Sequence, residues 1–275
     1  MQSRSSKSGR ARGPRPSVPP LLLLLLLLLP WLGLGAAQGA GLPGEPESPQ
    51  DLQLPRLLQR AARVALHFFN FRSGSPCDLR VLGAVQGGRA QVIDEDTLVS
   101  VTFTAERFRL EDPLRSGRCW AQVRFTPHRP RPSVNVSCTR LLAREQRQQE
   151  NLQLFRLLKD LPMPLANTSI PDNHGHMEPT LRPLWEMVAL GSSFVMWEKS
   201  TKTAQFSLVQ LSGVQQWKTN HDTIHADYTV LLHEFTTQEM LSCHIHQEWH
   251  PGKPPRVKYH CSEAQMPEEA SGTEE

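Results

Sequence analysis

The sequence predicts an α+β protein in which one small unit, an amphipathic helix followed by an antiparallel sheet, occurs twice. Three observations predict it: two cysteine pairs at nearly equal spacing, matching residues around each pair, and the same switch from helical to alternating apolar periodicity in each half. Cys119 and Cys138 lie 19 positions apart, and Cys243 and Cys261 lie 18 apart. Phe125 and Trp249 each fall six residues after the leading cysteine, and Pro132 and Pro255 each fall six before the trailing one. Val64-Ala65-Leu66 and Val188-Ala189-Leu190 both begin 55 residues ahead of their leading cysteine. Each half is therefore roughly 90–100 residues long, a size that can fold alone.

The chain opens with a targeting segment, residues 1–44. Basic residues run to Arg15, Leu21 to Leu29 is unbroken, and no charge occurs between Arg15 and Glu45. Such a stretch engages the secretion machinery. Val18 to Ala37 is 20 residues long, enough to span a bilayer as a single-pass signal-anchor. The basic flank places the body on the lumenal or outer side. Cleavage after Gly35-Ala36-Ala37 is the alternative and would give a secreted protein. Residues 38–50, rich in Gly, Pro, Gln and Glu, read as a linker.

The first repeat covers 50–139. Leu57, Leu58, Ala61, Val64, Ala65 and Phe68 recur at three- and four-residue intervals and form the apolar stripe of a helix. Strands follow. In the closing hairpin Cys119, Ala121, Val123 and Phe125 alternate with polar neighbours, and Val134, Val136 and Cys138 do so on the return strand. A connecting segment, 140–168, carries a charged helix with Leu152, Phe155 and Leu158 on one face, stopped by Pro162 and Pro164.

The second repeat covers 169–263. Its helix stripe is Leu184, Met187, Val188, Gly191, Phe194 and Val195, with Pro179 and Pro183 near the start, where a missing amide does no harm. Its last hairpin turns at Pro251-Gly252. A cysteine at each end of such a hairpin pairs across the strands with little strain, which gives Cys119–Cys138 and Cys243–Cys261. Cys77 is left over, either a small buried thiol or one that bridges chains. Residues 264–275 form an acidic, solvated tail.

Composition narrows the function. At 39% hydrophobic and 21% charged, the chain has apolar residues enough for a core, which excludes wholesale disorder and a polytopic membrane protein. The whole chain carries +3, but five basic residues and no acid sit in 1–37, so the remainder sums to −2. That offers no electrostatic footing for nucleic acid. Asn135-Val136-Ser137 and Asn167-Thr168-Ser169 are glycosylation sequons, in keeping with lumenal placement. Asn135 falls on the polar face of its strand, where a glycan projects freely.

One helix wrapped by a sheet with a disulfide-closed last hairpin resembles the cystatin fold, and the tandem arrangement with a helical connector resembles the latexin family. The segments carrying that likeness are AARVALHFFNFRSGSP from Ala61, SIPDNHGHMEPTLRPLWE from Ser169, HADYTVLLHE from His225 and EWHPGKPPRVKYH from Glu248. The likeness covers about residues 55–262, and the apolar leader is similar to that of a membrane-associated branch of the family. It implies a non-enzymatic inhibitor of zinc metallocarboxypeptidases that occludes the active-site funnel with a broad surface. It also implies contacts from the connection Leu232 to Leu241, within which Gln238, Glu239 and Met240 are the candidates. The competing class is a membrane-associated adhesion or signalling module on the same scaffold without inhibition. The Gln-x-Val-x-Gly hairpin tip of cystatins that block cysteine peptidases is not present. Ala84-Val85-Gln86-Gly87-Gly88 has the letters in a different order.

Enzymatic motifs fail one by one. His233-Glu234 opens like a zinc-peptidase HExxH, but position 237 is Thr. His176-Met177-Glu178 lacks the cysteines of a deaminase, and Gly191-Ser192-Ser193 is not a nucleophile elbow. No enzyme and no cofactor are expected. On the last hairpin His244 faces His260, with His246 two residues along on the same polar face. Three imidazoles there are zinc or copper donors, and equally a His-rich solvated face; no metal is the expectation.

Overall fold

A computed structural model describes residues 49–108, 116–127, 129, 131–161, 165 and 169–263. The leader, most of the linker, the sequon residue Asn167 and the acidic tail lie outside the described residues. Helix α1 (Pro49–Ser73) leads into strands β1 (Arg80–Ile93), β2 (Asp96–Arg107), β3 (Gly117–Phe125) and β4 (Ser133–Cys138). Helix α2 (Arg144–Lys159) connects to helix α3 (Arg182–Lys199), which precedes β5 (Phe206–Thr219), β6 (Ile224–Glu234), β7 (Met240–Trp249) and β8 (Arg256–Glu263). Each set of strands forms a four-stranded antiparallel sheet in sequence order. Helix, meander, connector, helix, meander is the α+β duplication the cysteines announced.

Alternation along the strands decides which face each sheet buries. In β3 Cys119, Ala121, Val123 and Phe125 are buried and Arg118, Trp120 and Arg124 are exposed. The closing hairpins have the expected register, Cys119 opposite Cys138 and Cys243 opposite Cys261, and both pairs are disulfides. Closing loops of 19 and 18 residues is worth roughly 3 kcal/mol each in the chain-entropy account. The edge strands β1 and β5 both contain bulges, which locally increase the twist of each sheet edge. The β7–β8 connection turns on His250 to Lys253, with Lys253 N–H donating to the His250 carbonyl at 3.0 Å. Pro251 takes the second position of that turn and Gly252, at φ +80°, the third, which is the type II arrangement.

Helix α3 departs from the single stripe expected of it, because none of its residues is exposed. Leu184, Trp185, Val188, Val195 and Met196 pack on β5–β8. Met187 and Leu190 face α2, with Leu154, Phe155 and Leu158 and with Cys77 and Leu79 of the first half. Trp197 enters the core beneath α1, beside Ala61, Val64 and Ala65. A helix buried all round is a core element rather than an amphipathic cover. At roughly 1.5–3 kcal/mol per large buried apolar side chain, this helix carries much of the stability of both halves.

The seam between halves is aromatic and hydrogen-bonded. Phe68 meets Trp197 edge-on at 4.8 Å between centroids, and Phe71 lies 4.8 Å from Phe194. Trp249 is fully buried, and its indole N–H donates to the Gly74 carbonyl at the end of α1 at 3.0 Å. The connector is tied to both sides. Ser75 donates to Asn151 Oδ1 at 2.9 Å, and the Trp217 indole donates to the Leu158 carbonyl at 3.2 Å. Its buried face is Asn151, Leu154, Phe155 and Leu158, not Leu152, which is 43% exposed. At 100° per residue, Leu152 lies a quarter turn beyond Asn151 and clears the core. Cys77 is 1% exposed, in the core that α2 covers.

Gly191 marks the closest approach of α3 to its sheet. A Cβ there would sit 2.3 Å from both Tyr228 Oη and Gln247 Oε1, which are themselves hydrogen-bonded at 2.5 Å. Gly191→Ala is expected to lower unfolding stability in urea by about 2–3 kcal/mol, through overpacking. Gly252→Ala, where a Cβ meets nothing within 4 Å, should lose only about 1 kcal/mol from its positive φ. Equal losses would mean that α3 does not sit so close to Tyr228.

Candidate functional site

The β6–β7 turn, residues 235–239, is held by the residue that opens it. Glu234 is buried at the end of β6 because the alternation of that strand turns it inward. Its Oε1 accepts from Gln205 N–H at 3.1 Å and Thr236 N–H at 3.0 Å, and its Oε2 accepts from Thr237 N–H. The main chain closes round the same residue, with Gln238 N–H donating to the Glu234 carbonyl and Glu234 N–H to the Glu239 carbonyl, each at 2.9 Å. Gln238 takes φ +64°, and its side-chain amide donates to the Phe235 carbonyl at 2.6 Å. Burial pushes the Glu234 carboxyl up, but the Thr237, Thr236 and Gln205 donors outweigh it and hold the group down at about 2.

The first half supplies the support beneath this turn. Phe235 is 40% exposed at the tip, 5.1 Å from the His233 ring, with the Arg63 guanidinium of α1 5.2 Å over it. Arg60, one turn earlier on α1, donates to the Lys202 carbonyl at 3.1 Å and to Thr236 Oγ1 at 3.5 Å. Thr236 Oγ–H donates to the Thr203 carbonyl at 2.6 Å, and Phe235 N–H to the Gln205 carbonyl at 2.9 Å. An exposed aromatic on a turn fixed from both sides loses little conformational freedom when a partner covers it. This constellation of α1, the 200–205 connection and the turn presents an exposed aromatic on a backbone held from both sides.

The candidates read from sequence are partly gathered here. Gln238 and Glu239 are exposed on the turn, Glu239 accepting from Thr237 Oγ–H at 3.0 Å. Met240 is the first residue of β7, half-buried opposite His233, so it backs the turn rather than forming its tip. Phe235, Arg60 and Arg63 were not singled out by sequence reasoning. Only the lone aromatic between polar residues could have flagged Phe235, and no local pattern links α1 to a turn about 175 residues away. Glu234 is a structural lock, which accounts for its presence beside His233 without any metal chemistry.

The remaining candidates sit apart. His244 pairs with His260 in register, while His246 donates a hydrogen bond through Nδ1–H to Asp227 Oδ1 at 2.8 Å. Among the described residues no group of three or more His, Cys, Asp or Glu is placed to hold a metal ion. Asn135 is exposed on β4, the outer strand of its sheet. Ala84 to Gly88 lies within the bulged β1, and the β1–β2 hairpin turns at Asp94 instead, so the cystatin-like letters are not at a hairpin tip.

The Glu234 linkage has a definite sign. A carboxylate depressed from about 4.5 to about 2 contributes stability that is fully present above pH 4.5 and lost as pH falls toward 2. Glu234→Gln should lose about 2–3 kcal/mol at pH 7 and flatten the acid limb of the stability–pH curve in urea titrations. An unchanged acid limb would show that the carboxylate does not hold the turn.

The family model for latexin matches residues 53–267, most of the chain. The chain is 56% identical over 234 residues to human retinoic acid receptor responder protein 1, covering 82% of this chain and 80% of that protein. It is 30% identical to chicken ovocalyxin-32 over 74% of this chain and 73% of that one. It is 28% identical to mouse latexin over 73% of this chain and 90% of that one. Helix-on-sheet units in tandem, disulfide-closed hairpins and these matches together make the chain a member of the latexin family.

Proposed function

We propose that this protein is a non-enzymatic inhibitor of a zinc metallocarboxypeptidase that blocks the active-site funnel with the β6–β7 turn and the rim around it. Family membership supports an inhibitor. The observation that carries the reading is the preorganisation of the turn: Glu234 ties three backbone amides, α1 props the other side, and Phe235, Gln238 and Glu239 are presented outward. Standard-size inhibitor interfaces draw their affinity from such rigid, exposed anchors.

The reading extends to the compartment. Two disulfides favour an oxidising environment. The leader, a basic flank followed by an uncharged apolar stretch, fits a single-pass signal-anchor with the body outside the cytosol, and exposed Asn135 then carries a glycan; removal of the leader would make the same body a secreted inhibitor. Among the described residues no helix is long and apolar enough to cross a membrane, and the anchor proposed is the leader.

Titration of A- and B-type metallocarboxypeptidases with the purified protein tests this. Slowing of at least one enzyme at submicromolar concentration is expected, and Phe235→Ala should weaken it at least tenfold while leaving the melting temperature within a few degrees. No slowing of any enzyme at micromolar concentration would transfer the scaffold to the adhesion or signalling reading.

A further inference from the structure

The outer face of the second sheet carries a block of imidazoles for which the inhibitory reading has no use. Strand alternation turns His225 and Asp227 of β6, His244, His246 and Glu248 of β7, and Arg256, Lys258 and His260 of β8 away from the side on which α3 packs. The register sets these residues in adjoining rows: Lys218 of β5 with His225, Glu248 and Arg256, then Asp227, His246 and Lys258, then Thr229, His244 and His260. Lys218, His244, His246, Arg256, Lys258 and His260 are exposed, and His225 is half-buried. Strands about 4.8 Å apart and alternate residues about 6.7 Å apart make a platform of roughly 14 Å by 13 Å. Strands β1–β4 build the same meander and contain no histidine, so the fold does not require these imidazoles. Both carboxylates are engaged within the block. Asp227 accepts from His246 at 2.8 Å and lies 4.0 Å from His244 Nε2, and Glu248 lies 3.5 Å from Arg256. At the margins Asn220 meets His225 Nε2 at 3.3 Å, Asp222 meets His250 at 3.3 Å, and the segment bridged to β5 at Leu211 carries Asp172, His174 and His176.

Lys218, Arg256 and Lys258 against Asp227 and Glu248 leave the block at +1 while its imidazoles are neutral, and at +5 once His225, His244, His246 and His260 are protonated. Imidazole is the side chain that ordinarily changes charge between neutral and mildly acidic pH, so the face is strongly cationic only in acidified surroundings. Charges spread over a sheet face suit a linear polyanion better than a single anion, which needs convergent donors. None of the large exposed apolar side chains lies in the three rows, so the face has no apolar anchor for a lipid surface. A second copy brings the same cationic face and is repelled. Outside the cytosol, anionic lipid, a feature of the cytoplasmic leaflet, is not the polyanion at hand. We propose that this face binds a linear sulfated polysaccharide when its imidazoles are protonated, and so holds the protein on such a chain in mildly acidic surroundings. The choice of polyanion rests on the compartment proposed above; the change of charge does not. Phe235 follows the far end of β6, ten residues and roughly 33 Å beyond His225, so the turn and the imidazole face can be occupied together.

Calorimetric titration of the intact protein with a heparin octasaccharide, at pH 7.4 and at pH 5.5 in the same salt, is the test. Binding should be about tenfold tighter or more at pH 5.5. The Lys and Arg residues of the leader keep their charge at both values, so they set a common baseline and add nothing to the difference. His244→Gln combined with His260→Gln should weaken binding about fivefold at pH 5.5 and less than about twofold at pH 7.4, whereas Lys258→Gln weakens it at both. Should the paired variant not fold, octasaccharide-induced shifts of the His244 and His260 imidazole resonances in the unaltered protein at pH 5.5 locate the chain instead. Equal affinity at the two pH values, undiminished binding by the paired variant at pH 5.5, absence of those imidazole shifts, or binding to phosphatidylserine vesicles in place of the octasaccharide would each overturn the assignment. Carboxypeptidase inhibition has its own titration and should be unchanged by the paired variant, so failure of either reading is seen apart from failure of the other.

Discussion

The packing of α3 against three partners at once is the constraint on which the rest of the molecule depends. In a module standing alone, a helix laid on a sheet would keep one face in water. Here that face is taken by α1 and α2 through Trp197, Met187 and Leu190. Removing either partner would expose large apolar surface, so the duplicated halves behave as layers of one core rather than as beads. The disulfides tighten each sheet locally but do not join the halves. That joining comes from aromatic packing along α1 and α3 and from the Trp249 indole on Gly74.

The same packing makes the β6–β7 turn usable. The turn belongs to the second half, yet Arg60 and Arg63 of the first half reach it, and they do so only because α1 is pressed onto α3. Glu234 adds a second restraint from within its own sheet. A turn that would be mobile on an isolated hairpin thus becomes a fixed projection, and under the proposed inhibitory reading little ordering remains to be done on binding.

Cysteine spacing and the matched triplets read the duplication, the disulfides and the hairpin registers from sequence, because a strand's period of two leaves no freedom once one cross-strand pair is known. The Pro251-Gly252 turn was legible for a similarly local reason, a fixed φ followed by one that only glycine takes easily. Leu152 was misread because two apolar stripes fit the connector about equally well, and only the depth of Leu154 against the second half distinguishes them. Gly191 fell on the buried stripe without any hint of why it is glycine, since Tyr228 and Gln247 reach it from a sheet that begins later in the chain. The rim around Phe235 was half legible: the loop came from likeness to a family, but its supports on α1 are long-range contacts that no local pattern encodes.

Native-state hydrogen exchange measures the shared core most directly. If α3 binds both sheets into one body, the slowest amides of β2 and of β6 open only with global unfolding, at free energies within about 1 kcal/mol of each other and equal to that from denaturant. Slow exchange in one sheet while the other opens several kcal/mol sooner would contradict it, and would return the protein to two separate modules on a tether.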